Sequence, residues 1–145
     1  MRELRREIEI DAPPERVWAV LTDFAAYPEW NPFIRRISGE VREDAKLEVL
    51  IEPPGARATT FKPTVRAVRA NRELRWLGRL VLPGVFDGEH VLQIEPMDGD
   101  RSRFVQSERF SGLLVGVVKG TLAKTEEGFE QMNVALKARV EAASA

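Results

Sequence analysis

The chain has 145 residues, with 22 Lys and Arg against 23 Asp and Glu, and its formal net charge is −1. This balance gives no basic surface of the kind that binds nucleic acid, so nucleic acid is disfavoured as a partner. The absence of Cys and the single His exclude a disulfide framework, thiolate chemistry and ordinary His-rich zinc sites. We therefore predict neither a metal nor a cofactor. The length fits one domain, residues 1–145, with a sizeable core.

The N-terminal segment alternates charged and apolar residues, which predicts a half-buried strand rather than a signal peptide. Leu4, Ile8 and Ile10 lie between charged neighbours. The most apolar run of the chain, residues 113–118, is far shorter than the roughly 20 residues that cross a bilayer. We expect a cytoplasmic protein without integral membrane insertion.

Two short helices should follow this first strand. A Pro-Pro-Glu sequence at residues 13–15 favours a helix start, because Pro fits the first turn and an acidic residue suits the positive end of the helix dipole. Apolar residues from Val17 onward supply one face, so the first helix should cover residues 14–22. Residues 23–27 should add one more turn that ends at Pro28.

The central part of the chain shows strand patterns in pairs, each pair joined by a short turn. The predicted strands are residues 33–41, 45–51, 59–68, 73–80, 86–95 and 102–110. With the first strand this makes seven, mostly hairpin-linked and therefore antiparallel. Charged residues alternate outward along them and indicate a sheet with one face in solvent. They include Arg66, Arg75, Arg79, Glu89, Arg103 and Arg109.

The last stretch, roughly residues 113–141, has apolar residues at spacings of three or four, which is the period of one helical face. They are Leu114, Val118, Leu122, Phe129, Met132, Leu136 and Val140, with Thr125 on the same face. About 30 residues at roughly 1.5 Å each give a helix of roughly 45 Å, long enough to cross a domain of this size. The predicted fold is α+β, with a curved antiparallel sheet wrapped around this C-terminal helix.

Two separated motifs resemble the START/polyketide-cyclase-like helix-grip superfamily, also called SRPBCC or birch-pollen-allergen-like. IDAPPERVW at residues 10–18 and YPEWNPF at 27–33 resemble its opening, and ERFSGLL at 108–114 and GFEQMN at 128–133 resemble its ending. The resemblance covers essentially the whole chain. It implies a sheet that grips the long helix over an internal cavity, used in that superfamily for lipid or hormone binding, aromatic ring cyclisation or partner binding. It implies no single catalytic residue.

Strand alternation predicts which side chains point into such a cavity. The more apolar face of residues 86–95 carries the only histidine, His90, and the aromatic-flanked face of residues 102–110 carries Gln106 and Glu108. A few convergent polar groups in an apolar pocket are typical of a small-molecule site, although a slip of one residue in register would turn the set outward. The predicted ligand-binding residues are Phe61, Trp76, His90, Leu92, Phe104, Gln106, Glu108, Leu114 and Val118.

An apolar connection between the strands at 73–80 and 86–95 is a second candidate feature. A polar loop would be usual at a surface, so this one should close a cavity mouth as a gate or pack on the start of the last helix. The gate residues are Leu82, Pro83, Gly84, Val85 and Phe86, and the Glu-Pro-Pro-Gly-Ala sequence at residues 52–56 should stand opposite as a second rim. The first half of the last helix has small and aliphatic residues and the second half has bulky ones, so the pocket should lie beside the helix's beginning.

Three functions remain open. The first is a non-enzymatic protein that binds a hydrophobic or amphipathic small molecule of lipid, polyketide or aromatic type. The second is a cyclase or dehydratase that uses His90 and Glu108 as an acid/base pair. These two could instead form a buried structural pair or orient a hydroxyl or carbonyl group of a ligand. The third is a protein-interaction module, which requires an exposed apolar patch above a few hundred Å². Whether the chain forms a homodimer is left open.

Overall fold

The computed structural model describes residues 2–79, 87–112 and 119–143. Helices α1 (Pro14–Thr22) and α2 (Tyr27–Trp30) lie between the first two strands, and α3 (Lys119–Ala143) follows the last strand. The strands are β1 (Arg2–Ile10), β2 (Ile34–Ser38), β3 (Glu48–Ile51), β4 (Thr59–Phe61), β5 (Thr64–Arg69), β6 (Glu73–Arg79), β7 (Asp87–Met97) and β8 (Arg101–Ser111). This is the predicted α+β helix-grip architecture, which is confirmed.

The helix α1 has the predicted bounds, with Pro14 in its first turn. The prediction that the helical region ends at Pro28 was wrong. A 3-10 turn at Phe24–Ala26 leads directly into α2, and Pro28 lies in the first turn of that helix. Proline is tolerated there because the N–H groups of the first turn have no intrahelical acceptor. The Asn31 side chain then accepts hydrogen bonds from the backbone N–H groups of Phe33 and Ile34, at 2.9 and 2.8 Å, and turns the chain into β2.

All strand pairings are antiparallel, in a five-stranded sheet ordered β1-β8-β7-β6-β5 and a three-stranded sheet ordered β2-β3-β4. The described residues therefore contain eight strands rather than seven, because the predicted strand at 59–68 is divided at Pro63. Proline has no N–H to donate to a sheet, and the chain changes partner there, from β3 to β6. The two sheets stay connected, since Leu47 N–H donates to the Pro63 carbonyl and Lys46 bridges to Thr64.

The described part of α3 lies over the concave face of the sheets and buries the predicted stripe. Leu122, Phe129, Met132, Leu136 and Val140 are each at most 1% exposed. The predicted helical residues 113–118 lie outside the described residues. A β-carbon at position 128 would collide with the ring of Phe33, so Gly128 lets that ring contact the helix backbone and meet Phe129 edge-on, with ring centroids 5.6 Å apart.

The C-terminal end of α3 is fixed to the junction between β1 and α1. Glu141 accepts a hydrogen bond from the Asp11 backbone N–H at 2.8 Å and forms an ion pair with Lys137 at 2.6 Å. The hydrogen bond from Lys137, and to a smaller extent the one from Asp11, lowers the pKa of Glu141 below its usual range. Within the described ranges, no helix has the length and apolarity needed to cross a membrane.

Candidate functional site

A cavity of about 290 Å³ lies between the two sheets and the first described turns of α3. Its wall is mainly apolar, with His90 and Glu108 on β7 and β8 and Arg57, Thr59 and Thr125 elsewhere. The described lining residues are Val49, Ile51, Pro53, Ala56, Arg57, Thr59, Phe61, Pro63, Trp76, Gly78, Gly88, His90, Glu108, Phe110, Leu122 and Thr125. The cavity is therefore beside the beginning of the described helix, and the buried Phe129–Val140 stripe is beside its end, as the side-chain sizes predicted.

Two glycines on neighbouring strands create the space. Gly78 and Gly88 are direct cross-strand partners in β6 and β7, and both line the cavity. A β-carbon at position 88 would overlap Oε2 of Glu108. Glu108 is itself paired across the strands with His90, so its side chain leans diagonally over Gly88. The missing side chain at position 88 is what lets the carboxyl group lie flat against the cavity wall.

A chain of four polar side chains runs from the helix to the cavity. Asn133 Oδ1 accepts from Gln106 Nε2 at 2.9 Å, Gln106 Oε1 contacts His90 Nε2 at 2.9 Å, and His90 Nδ1 lies 3.3 Å from Glu108 Oε1. The first three side chains are at most 1% exposed, whereas the Glu108 side chain is 14% exposed. The aromatic rings of Trp76 and Phe129 flank the imidazole, with centroid distances of 4.9 and 5.2 Å.

This series of four polar side chains is compatible with two arrangements of the protons in its hydrogen bonds. With the amides oriented as above, His90 Nε2 donates to Gln106, so a further proton must lie between His90 Nδ1 and Glu108, because a lone pair facing a carboxylate would repel it. If both amides are rotated, Gln106 donates to Nε2 and a neutral His90 donates from Nδ1 to the carboxylate. The two arrangements differ by one proton on the His90–Glu108 pair. In the first, Asn133 Nδ2 has no hydrogen-bond partner among the described residues.

The structure distributes the predicted ligand-binding residues over three places. Phe61, Trp76, His90 and Glu108 line the cavity. Leu92, Phe104 and Gln106 do not line it: the first two are fully buried core residues, and Gln106 lies behind His90. Their inward direction follows from strand alternation. Leu92 on β7 and its partner Gln106 on β8, followed by Phe104, lie beyond the His90–Glu108 pair, toward the part of the sheet that faces the solid half of the helix. The other two predicted residues, Leu114 and Val118, and the predicted gate Leu82, Pro83, Gly84, Val85 and Phe86 lie outside the described residues.

Of the wall contributed by the smaller sheet and its connection, the prediction named Phe61 and the rim at residues 52–56 but not Val49, Ile51 or Arg57. Val49, Ile51 and Phe61 belong to this sheet, and Pro53, Ala56 and Arg57 lie in the segment that joins β3 to β4. Of the predicted rim, Pro53 and Ala56 line the cavity. The sequence prediction also missed Asn133, which shares the buried side of α3 with Phe129 and Met132 at helical spacing.

No group of three or more His, Cys, Asp or Glu side chains in the described ranges is placed to hold a metal ion. The cavity wall carries one imidazole and one carboxyl group held against each other among apolar side chains, with Arg57, Thr59 and Thr125 elsewhere in the lining. Such a pair can orient a hydroxyl or carbonyl group, or exchange a proton with it.

Comparison with known proteins identifies the family. Residues 1–141 match the family model described as polyketide cyclase/dehydrase and lipid transport, and the chain belongs to this family. The resemblance to START/polyketide-cyclase-like proteins is thereby confirmed. No curated protein sequence matches the chain.

Solved structures show the same fold at low sequence identity. A protein from Thermus thermophilus is 20% identical, with a TM-score of 0.77, over 99% of this chain and 100% of that one. The Zhui aromatase/cyclase from a Streptomyces species is 15% identical, with a TM-score of 0.77, over 97% and 93%. A START superfamily protein from Mycobacterium smegmatis is 24% identical, with a TM-score of 0.74, over 96% and 97%.

Proposed function

We propose that this member of the polyketide cyclase/dehydrase and lipid transport family binds a small hydrophobic or amphipathic molecule in the cavity between its sheets and α3. The observation that carries the proposal is the cavity itself: about 290 Å³ of space with a mainly apolar wall and one His–Glu pair. This volume is at the lower end of the range for small-molecule pockets. It suits two fused rings or a short acyl chain.

The polar groups give the ligand an orientation. Glu108 and His90 lie on the sheet wall of the cavity, so a hydroxyl or other hydrogen-bond donor of the ligand should point to Glu108. Arg57 and Thr59 are exposed members of the lining, and they suit a polar or acidic group that remains near solvent. The expected ligand is therefore an apolar ring or chain with a donor group at the inner end.

Paired ligands provide the test. 2-Naphthol and 2-methoxynaphthalene have the same ring system, but only the first can donate a hydrogen bond. Titration monitored by fluorescence should show tighter binding of 2-naphthol, by roughly 10- to 100-fold, since a hydrogen bond to a charged group contributes about 1.5–3 kcal/mol. Mass spectrometry of the purified protein should in parallel be used to identify any co-purified ligand.

A cavity-filling variant tests the location. Thr125→Phe adds an aromatic ring to the cavity wall, and Val134→Phe adds the same ring at a 54% exposed position of the same helix. Binding of both naphthalenes should be lost in the first variant and kept in the second. Unchanged binding in Thr125→Phe would place the ligand elsewhere and contradict the proposal.

A second candidate function is a cyclase or dehydratase. The observation that favours it is the contact between His90 and Glu108 at 3.3 Å, in a chain that accommodates two proton states. In such an enzyme the pair would remove a proton from a carbon next to a carbonyl group and return it to the oxygen that leaves as water. The family description and the aromatase/cyclase among similar folds support this candidate.

Deuterium exchange separates this candidate from simple binding. A β-diketone incubated with the protein in D2O should lose its α-proton signal faster than in buffer. His90→Gln and Glu108→Gln should abolish that acceleration, while 2-methoxynaphthalene binding shows that the cavity is intact. Equal exchange in the wild type and both variants would exclude the acid/base role.

The described surface gives little support to a protein-interaction module. In the parts of the chain that the structure describes, Val134 is the one exposed large hydrophobic side chain. A single exposed aliphatic side chain is ordinary for a protein surface and falls short of the contiguous patch that a docking site requires.

A further inference from the structure

A second concavity of about 170 Å³ lies on the outer face of the same sheet region and is strongly basic. Lys46, Lys62, Arg66 and Arg79 line it, together with Thr64 and Leu77. We call these four cationic side chains and Thr64 the basic pocket. It is separate from the ligand cavity and independent of the proposed function.

The strand register explains how residues far apart in sequence meet there. Lys46 bridges to Thr64, and Thr64 pairs with Leu77, so these three side chains form one row across neighbouring segments. Lys62 and Arg66 lie two residues to either side of Thr64. Arg79 lies two residues beyond Leu77, toward the Lys62 side because β5 and β6 are antiparallel.

The four cations differ from their neighbours in lacking acidic partners among the described residues. On the same outer face Arg75 bonds Glu73 and Glu89, at 3.2 and 3.0 Å. Farther along this face, Arg103 and Arg109 pair with Glu95 and Glu3, at 3.4 and 2.8 Å. No cation of the basic pocket makes a comparable salt bridge with any residue that the structure describes. Asp87 is the cross-strand neighbour of Arg79, so the positive charge is concentrated toward Lys46, Lys62 and Arg66.

Four cationic side chains around one concavity favour the binding of an anion. Cations gathered around one concavity repel one another, and a bound dianion would remove that repulsion. Arg offers a planar pair of donors to phosphate oxygens, Lys offers a compact charge, and the Thr64 hydroxyl can donate to the same group. We infer that the basic pocket binds a phosphoryl group, carried either by a small phosphomonoester or by a lipid headgroup.

The test compares two variants of equal charge change. Lys62→Ala/Arg66→Ala removes two cations of the basic pocket, and the control Arg5→Ala/Arg139→Ala removes two cations paired with Glu7 and Glu29 elsewhere. Calorimetric titration with inorganic phosphate gives the free-anion arm. Sedimentation with phosphatidylcholine vesicles containing phosphatidic acid, against phosphatidylcholine alone, gives the lipid arm.

We expect binding in at least one arm, weakened at least about tenfold in the pocket variant and little changed in the control. Where the phosphate arm shows binding, phosphate should also raise the melting temperature of the wild type but not of the pocket variant. The absence of binding in both arms, or equal binding by the two variants, would overturn the inference. A circular dichroism spectrum and a cooperative thermal transition like those of the wild type show that the pocket variant is folded, and this control does not depend on the ligand cavity.

Discussion

Gly88 gives the sharpest test of how the cavity is built. A β-carbon has no room at this position, because the Glu108 Oε2 atom occupies the space. In Gly88→Ala the carboxyl group must move, since it is the end of a flexible side chain and the strand is not. The movement should separate Glu108 from His90 and place the carboxyl group or the new methyl group in the cavity.

We expect Gly88→Ala to change ligand selectivity more than the free energy of unfolding. The proposed hydrogen bond from a ligand hydroxyl to Glu108 would contribute about 1.5–3 kcal/mol, so its loss should reduce the preference for 2-naphthol over 2-methoxynaphthalene by roughly 10- to 100-fold. The Glu108 side chain is partly exposed and can find water, so we expect a stability loss of about 1 kcal/mol, as for an average substitution.

Gly120→Ala is the matched control. A β-carbon there meets no described residue within 4 Å, and the position is helical. The same chemical change should therefore leave ligand selectivity unchanged and stabilise the helix by about 0.5–1 kcal/mol. Fluorescence titration with the two naphthalenes and urea denaturation measure both effects. An unchanged ligand preference in Gly88→Ala would show that Glu108 does not receive the ligand's donor group.

Three further predictions concern the core and the polar chain. Burial, with a smaller contribution from Asp23, raises the pKa of Tyr27 above its ordinary value. The stability from Tyr27 should therefore be complete below about pH 10 and fall as pH rises above it, whereas Tyr27→Phe should show a smaller fall in urea denaturation across the same range. Phe129→Ala should cost about 3–5 kcal/mol by chemical denaturation, and the control Val134→Ala, at an exposed site of the same helix, should stay within about 0.5 kcal/mol; similar losses would contradict the assigned packing. Gln106→Leu should lower stability by about 1–3 kcal/mol, because it leaves His90 Nε2 buried without a partner, and should weaken the 2-naphthol preference while 2-methoxynaphthalene still binds; an unchanged preference would show that Gln106 does not position His90.

Local patterns were sufficient to predict most of the fold. The period of the C-terminal stripe, the helix start at residues 13–15 and the pairs of alternating segments depend only on neighbours in sequence. They predicted the described part of α3, the helix α1 with its bounds and the hairpin β7–β8. The division at Pro63 could not be predicted in this way. Whether a proline interrupts a strand or ends one and starts another depends on which partner strand follows, and that is decided by the curvature of the sheets.

For the candidate site, the sequence predicted which side chains point inward, but not which of these border the cavity. Alternation correctly turned His90, Gln106 and Glu108 to the same side, since one register fixes every side chain of a strand. Alternation cannot tell which inward side chains meet empty space and which meet the helix, because that depends on helix placement across the sheet. Leu92 and Phe104 are therefore in the core. The cavity wall from Val49 to Arg57 lies on the smaller sheet and its connection, and no local sequence pattern gives the distance of that sheet from β6.

In helix α3 the residues that pack the core and the residues beside the proposed ligand cavity lie in different halves. Its buried aromatic and aliphatic residues from Phe129 to Val140 fill the space under the five-stranded sheet, so they contribute most of the packing that the helix provides. Near Leu122 and Thr125 the opposing strands carry Gly78 and Gly88, so the helix meets space there instead of side chains. Asn133, on the packed side, connects the helix to the His90–Glu108 pair through Gln106. Substitutions around the cavity should consequently change what is bound at small cost in stability, whereas substitutions in the packed half should unfold the chain before they alter selectivity.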